Sequence, residues 1–142
     1  MKNNILIILL IFYQILFLNK LLAKEIEFDA SDIEINDSQN LTIANNGIAK
    51  IKDDGIIVEG LKIKYFKDQS LIIVEQGKIS NIDLNLEITS GTIEYNLKDA
   101  KINFTDKVNI DDKKNDLVIY SNKINYDISN QKIFGQGNTK II

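Results

Sequence analysis

From Lys24 to the C-terminus, apolar and polar residues alternate. Ile26, Phe28 and Ala30 lead to Ile33 and Ile35. Leu61, Ile63 and Tyr65 form a second set, and Ile82, Leu84, Leu86 and Ile88 a third. A period of two gives a strand one buried and one wet face. Ile, Val, Tyr and Phe suit such a half-buried, pleated surface. After residue 23, no apolar pattern of helical spacing persists over three turns, so no helix is expected there.

The alternation itself recurs. Ile33-x-Ile35, Ile63-x-Tyr65, Ile93-x-Tyr95 and Ile124-x-Tyr126 are spaced 30, 30 and 31 residues apart. Ile26, Ile56, Leu86 and Leu117 precede them, then Phe28, Val58, Ile88 and Ile119, then a small residue: Ala30, Gly60, Ser90, Ser121. Gly47, Gly77 and Gly137 keep the same spacing, with Lys107 in the third slot. A fixed period of about 20–50 residues marks a repeat architecture. Each small residue is expected where the strand bends through a corner between two sheets.

Turn chemistry interrupts the alternation at Asn36-Asp37-Ser38-Gln39-Asn40, Asn45-Asn46-Gly47, Asp53-Asp54-Gly55, Lys67-Asp68-Gln69-Ser70, Lys98-Asp99, residues 111–116 and Ser129-Asn130-Gln131. Asn, Asp and Gly tolerate the left-handed backbone such turns need. Turns at this density predict an all-β domain with three or four short strands per unit, about a dozen or more in total. In the third unit Lys101 and Asn103 replace the apolar Leu41/Ile43 and Leu71/Ile73 of its predecessors. Its apolar residues are Ile102, Phe104, Val108 and Ile110. A shift of one residue exchanges the faces of a strand, so a bulge is expected near residues 97–100.

The N-terminus departs from this scheme. Lys2 precedes an apolar run over residues 5–18, broken only by Tyr13 and Gln14, and Asn19-Lys20 and Leu21-Leu22-Ala23 follow. This is the layout of a secretory signal peptide cleaved after Ala23. The run is shorter than the roughly 20 residues of a spanning helix; the alternative is an uncleaved inner-membrane anchor. Residues 1–23 are therefore set apart from a domain at 24–142.

Composition narrows the chemistry. The 142 residues carry a net charge of −3, and no acidic residue precedes Glu25. A mildly acidic domain is a poor match for nucleic acid, whose phosphates call for a basic face. All 17 basic residues are Lys, so no guanidinium fork is available for phosphate or carboxylate. With no His and no Cys, Ser-His-Asp and Cys-His catalysis, zinc held by nitrogen or sulfur, disulfides and lipoprotein processing are all excluded. Asp53-Asp54-Gly55 and Asp111-Asp112 lack the spacing of a calcium loop and read as turns. No enzymatic function and no cofactor is expected.

The recurring unit, small-x-x-Ile-x-Tyr, a turn, an alternating strand, then Gly-x-(Ile/Ala), resembles the OstA-like domain of the lipopolysaccharide-transport family. That domain makes up LptA and the N-terminal periplasmic part of LptD. Residues 25–51, 58–79 and 121–141 carry the match. The resemblance implies a β-jellyroll, an open two-sheet antiparallel trough built from four units, with lipid A acyl chains in its apolar groove. It also implies a periplasmic bridge carrying lipopolysaccharide from inner to outer membrane, with jellyroll subunits joined by edge-strand pairing. Candidate lining residues are Phe28, Ile33, Ile35, Val58, Ile63, Tyr65, Ile88, Ile93, Tyr95, Ile119, Ile124 and Tyr126. From the residues alone, these positions either line a lipid path or close a core. Residues 25–28 and 137–142 are candidate free edges, and the chain has no Pro to blunt them. Two alternatives stand beside this reading: a structural β-solenoid of a surface protein, and an inner-membrane-anchored LptC-like subunit.

Overall fold

A computed structural model describes residues 24–142. The segment read as a signal peptide lies outside the described residues. Nine strands follow in chain order: β1 (Ile26–Asn36), β2 (Leu41–Ile51), β3 (Ile56–Phe66), β4 (Leu71–Asn81), β5 (Leu86–Asn96), β6 (Lys101–Asp112), β7 (Leu117–Asp127), β8 (Lys132–Gln136) and β9 (Lys140–Ile141). Each strand from β1 to β7 pairs antiparallel with the next, and β9 returns to β7. The β-solenoid alternative is thereby overturned.

The 30-residue period is one hairpin of two strands of about 11 residues. It is not three or four short strands, and the described residues form nine strands rather than a dozen. The hairpins are closed by short polar turns. Asn36, Asn81, Asn96, Asp112 and Asp127 each accept a hydrogen bond from the backbone N–H three residues on. Each turn then ends on a left-handed residue: Asn40, Gly55, Ser70, Asn85, Ala100, Asp116 or Gln131. Side chains that bond their own backbone are what these turns use in place of a ladder.

Halfway along, every long strand bends. The corner residues form one row across the sheet: Ala30 pairs with Gly47, Gly47 with Gly60, Gly60 with Gly77 and Gly77 with Ser90. There is no room for larger side chains in this row. A Cβ on Gly60 would collide with Cγ1 of Val74, and one on Gly47 with the Cβ of Ala30. The ladder skips one residue pair at the corner, and serine hydroxyls take up freed carbonyls: Ser90 donates to Thr92 at 2.9 Å and Ser121 to Lys123 at 3.0 Å. Asn45-Asn46-Gly47 is therefore a bend inside β2 and not a turn between strands. Asn46 and Gln76 are left-handed there, as are Asp106 and Lys107 in β6.

The corner also changes which residues face inward. Inward positions step by three instead of two, as from Ala44 to Gly47, from the half-buried Gly60 to Ile63, and from Ser90 to Ile93. In β6 the step is four, from Phe104 to Val108, because one extra residue sits at the bend. The third unit's irregularity thus lies at Asp106-Lys107. Residues 97–100 form an ordinary hairpin turn with no bulge. Before the corner, the inward residues of β2, β4 and β6 are the even-numbered ones, Ala44, Ile72, Val74, Ile102 and Phe104. Leu41, Ile43, Leu71 and Ile73 lie on the outer face, half-buried. The third unit keeps the common register and simply has a polar outer face.

The result is one sheet creased into two facing arms. Phe28 on one arm meets Tyr65 on the other at 6.2 Å between ring centroids. A single cluster of Ile, Val, Leu, Phe and Tyr fills the space between the arms. Outer faces carry ion pairs such as Lys64–Glu75 at 2.8 Å and Lys78–Glu59 at 3.4 Å.

Candidate functional site

The inner face of one arm carries a row built by the repeat: Ile35, Tyr65, Tyr95 and Tyr126, on alternate strands β1, β3, β5 and β7. Alternate strands lie about 10 Å apart. The facing arm supplies Phe28, Val58, Ile88 and Ile119 from the first halves of the same strands. Of the twelve candidate residues, Val58, Ile63, Ile88, Ile93, Tyr95, Ile124 and Tyr126 are buried, and Phe28, Tyr65 and Ile119 pack against them partly buried. Ile33 and Ile35 stand apart. Both are at the β1 edge, 42% and 67% exposed. The trough is filled by its own side chains in the middle and opens at this edge.

Polar groups enter the trough at its rim. The Tyr95 hydroxyl donates to the Asp54 carboxylate, which sits on the β2–β3 turn of the opposite arm. Lys24 reaches the same carboxylate, at 2.7 and 2.9 Å to its two oxygens, and lies 6.0 Å from the centre of the Tyr95 ring. These three residues clasp the arms together. Burial first, and the hydrogen bond to Asp54 second, push the Tyr95 hydroxyl far above the usual tyrosine pKa. Burial also raises Tyr65 and Tyr126.

Sequence reasoning passed over Lys24 and Asp54, treating the latter as part of a turn. The repeat holds the signal. Lys24, Asp54 and Leu84 occupy the same place, 30 residues apart and two before each unit's first strand. Tyr95 reaches back to Asp54; by the same step Tyr126 reaches back to Leu84.

No protein-family model and no curated protein matches the chain. A solved structure does match: LptH, the LptA-homologous periplasmic component of the conserved lipopolysaccharide transport device from Pseudomonas aeruginosa. The TM-score is 0.73 at 12% identity, over 84% of this chain and 94% of that one. The fold is an LptA-like β-jellyroll. The fold expected from the small-x-x-Ile-x-Tyr units is thus borne out. The jellyroll's two arms correspond to the two halves of each long strand, and its corner is the Gly-rich row.

Proposed function

We propose that this protein is a periplasmic, lipopolysaccharide-binding component of a bridge between the inner and outer membranes, with no catalytic role. The observation that carries the reading is an LptA-like jellyroll whose apolar inner face opens to solvent at Ile33 and Ile35. Each acyl CH2 withdrawn from water contributes about 0.8 kcal/mol. A multi-chain lipid crossing an aqueous compartment therefore needs an apolar path, which the inner row from Ile35 to Tyr126 supplies. Export would depend on residues 1–23.

The edges fit assembly into such a bridge. β1 has no neighbour on its outer side among the described residues, and neither have β8 and β9. The β1 edge is acidic, with Glu25, Glu27, Asp29, Asp32 and Glu34; residues 128–142 contain Lys132 and Lys140 and no acid. Opposite charges favour pairing the last edge of one jellyroll with the first edge of another. Continuing the register across the sheet would set Ile141 beside Phe28 of the next copy.

Crosslinking in cells tests the conduit. A photo-crosslinking residue at Ile35 or Tyr65, on the inner face, should capture lipopolysaccharide. One at Lys64 or Glu94, on the outer face, should not. Equal capture at all four positions, or none at any, overturns the reading.

A further inference from the structure

On the outer face of the arm that carries the tyrosine row, the third unit breaks with its predecessors. Ile43 and Ile73 give way to Asn103, and Leu41 and Leu71 to Lys101. Strand pairing sets the new residues in two rows across β6, β7 and β8. One row is Asn103, Asn125 and Phe134; the other is Lys101, Asp127 and Lys132. Neighbours within a row stand about 5 Å apart, and the rows about 7 Å from each other. Between them lies a cleft of about 290 Å³, with Lys101, Asn103, Asn125, Asp127 and Phe134 around it. Its floor is the backbone of Ile102 and Tyr126, whose side chains are buried on the inner side of the sheet.

Three kinds of group meet at this cleft. The Phe134 ring is 57% exposed, a large apolar surface left beside polar neighbours. The negative face of such a ring attracts polarised C–H groups. Asn96, Asn115 and Asn130 direct their amides into turns. The amides of Asn103 and Asn125 have no such engagement among the described residues, and each keeps its donors and its acceptor. Asp127 is held in place by the backbone and side chain of Asn130, both at 3.0 Å, and still has lone pairs to offer. With a carboxylate in the middle and no guanidinium, the cleft is ill-suited to phosphate. A purely apolar guest would leave the amides unpaired, and a purely polar one would gain nothing from the ring. A pyranose with equatorial substituents offers both: flat faces of C–H bonds, and hydroxyls around its rim.

We propose that this outer cleft binds a neutral oligosaccharide. One pyranose ring stacks on Phe134, and its equatorial hydroxyl or acetamido groups bond to Asn103, Asn125 and Asp127. The sheet itself separates this site from the trough, so it does not rest on the reading of the trough as lipid-binding. A strand added at the β8 edge lies in the plane of the sheet and leaves this face open.

The test titrates the isotope-labelled protein with tri-N-acetylchitotriose and follows its backbone amide signals by NMR. The signals of Asn103, Asn125 and Gly135 should move saturably in the millimolar range, as suits a shallow site. Phe134→Ala should weaken binding about tenfold, through loss of the ring face. Asn103→Ile restores the residue type of the first two units at an exposed position, so it should keep the fold and weaken binding about fivefold. A thermal melt establishes that each variant is folded. A sugar of this kind can arrive free or as the head of a lipid, and octyl β-glucoside separates the two sources. It should move the same outer signals; shifts confined to inner positions such as Ile35, with none from the trisaccharide, overturn the proposal. So does an affinity that survives both substitutions. If Phe134→Ala changes self-association in the ultracentrifuge and leaves sugar binding unaltered, the ring belongs to an interface between copies and the proposal fails.

Discussion

The two rims around Tyr95 and Tyr126 occupy equivalent places in the repeat and behave as opposites. Around Tyr95 the arms are tied by a hydroxyl, a carboxylate and an ammonium from three separate parts of the chain. Around Tyr126 the same construction holds a leucine where the carboxylate was, and a hydroxyl with no partner among the described residues. The backbone scaffold is common to both. One side chain decides whether the arms are tied or leave a cavity. A repeat protein can thus keep its architecture uniform and place its chemistry in the exceptions.

Breaking the tied rim should produce the largest effect. Asp54→Leu strands the Tyr95 hydroxyl, which is fully buried with its ring, and frees Lys24. The expected loss is about 2–3 kcal/mol in urea unfolding, because a buried donor loses its partner. Adding Tyr95→Phe to Asp54→Leu should restore more than half of that, since removing both partners costs less than removing one. A loss below about 0.5 kcal/mol would mean that water replaces the carboxylate and that the clasp contributes little.

Alkaline titration sharpens the same comparison. Folding raises the pKa of Tyr95, Tyr65 and Tyr126 above the ordinary value of 10.0. Below that value both folded and unfolded chains keep the protons, and the stability is fully present. As pH rises past it, the unfolded chain ionises first, and stability falls by up to about 1.4 kcal/mol per pH unit for each such tyrosine. Tyr95→Phe should reduce the slope of unfolding free energy against pH between about 10 and 11.5. An unchanged slope would show that Tyr95 reaches solvent.

The smallest effect belongs to the untied rim. Tyr126→Phe should leave stability unchanged or raise it by up to about 1 kcal/mol, because an unpaired buried hydroxyl is removed. Tyr95→Phe should lower it by about 1 kcal/mol, the net value of a hydrogen bond. Equal changes at the two positions in urea unfolding would erase the distinction between the rims.

Much of the fold was legible in the residues. Ala30, Gly60, Ser90 and Ser121 marked the corner, because no larger side chain fits where strands cross so closely. The inward residues of β3, β5 and β7 were legible because both halves of each strand carry long apolar side chains. The strand count was misread at Asn45-Asn46-Gly47, which has the composition of a hairpin turn but serves as a left-handed bend within β2. The inward face of β2 and β4 was misread because Leu41, Ile43, Leu71 and Ile73 alternate as strongly as the true inward set while lying half-buried outside. Ala44 is inward and small, so alternation alone could not choose between the faces. Within the candidate site, the tyrosine row was visible as a period, and the partners of its hydroxyls were not.

By itself the sequence determined the repeat, the turns and the corner, because these depend on local backbone preference and on residues a few positions apart. The pairing of Tyr95 with Asp54, 41 residues away, depended on how far the creased arms slide past each other. That offset is a property of the packed core between them. Only the tertiary structure decided that one tyrosine would be satisfied and its counterpart, one hairpin later, would face a leucine and a cavity.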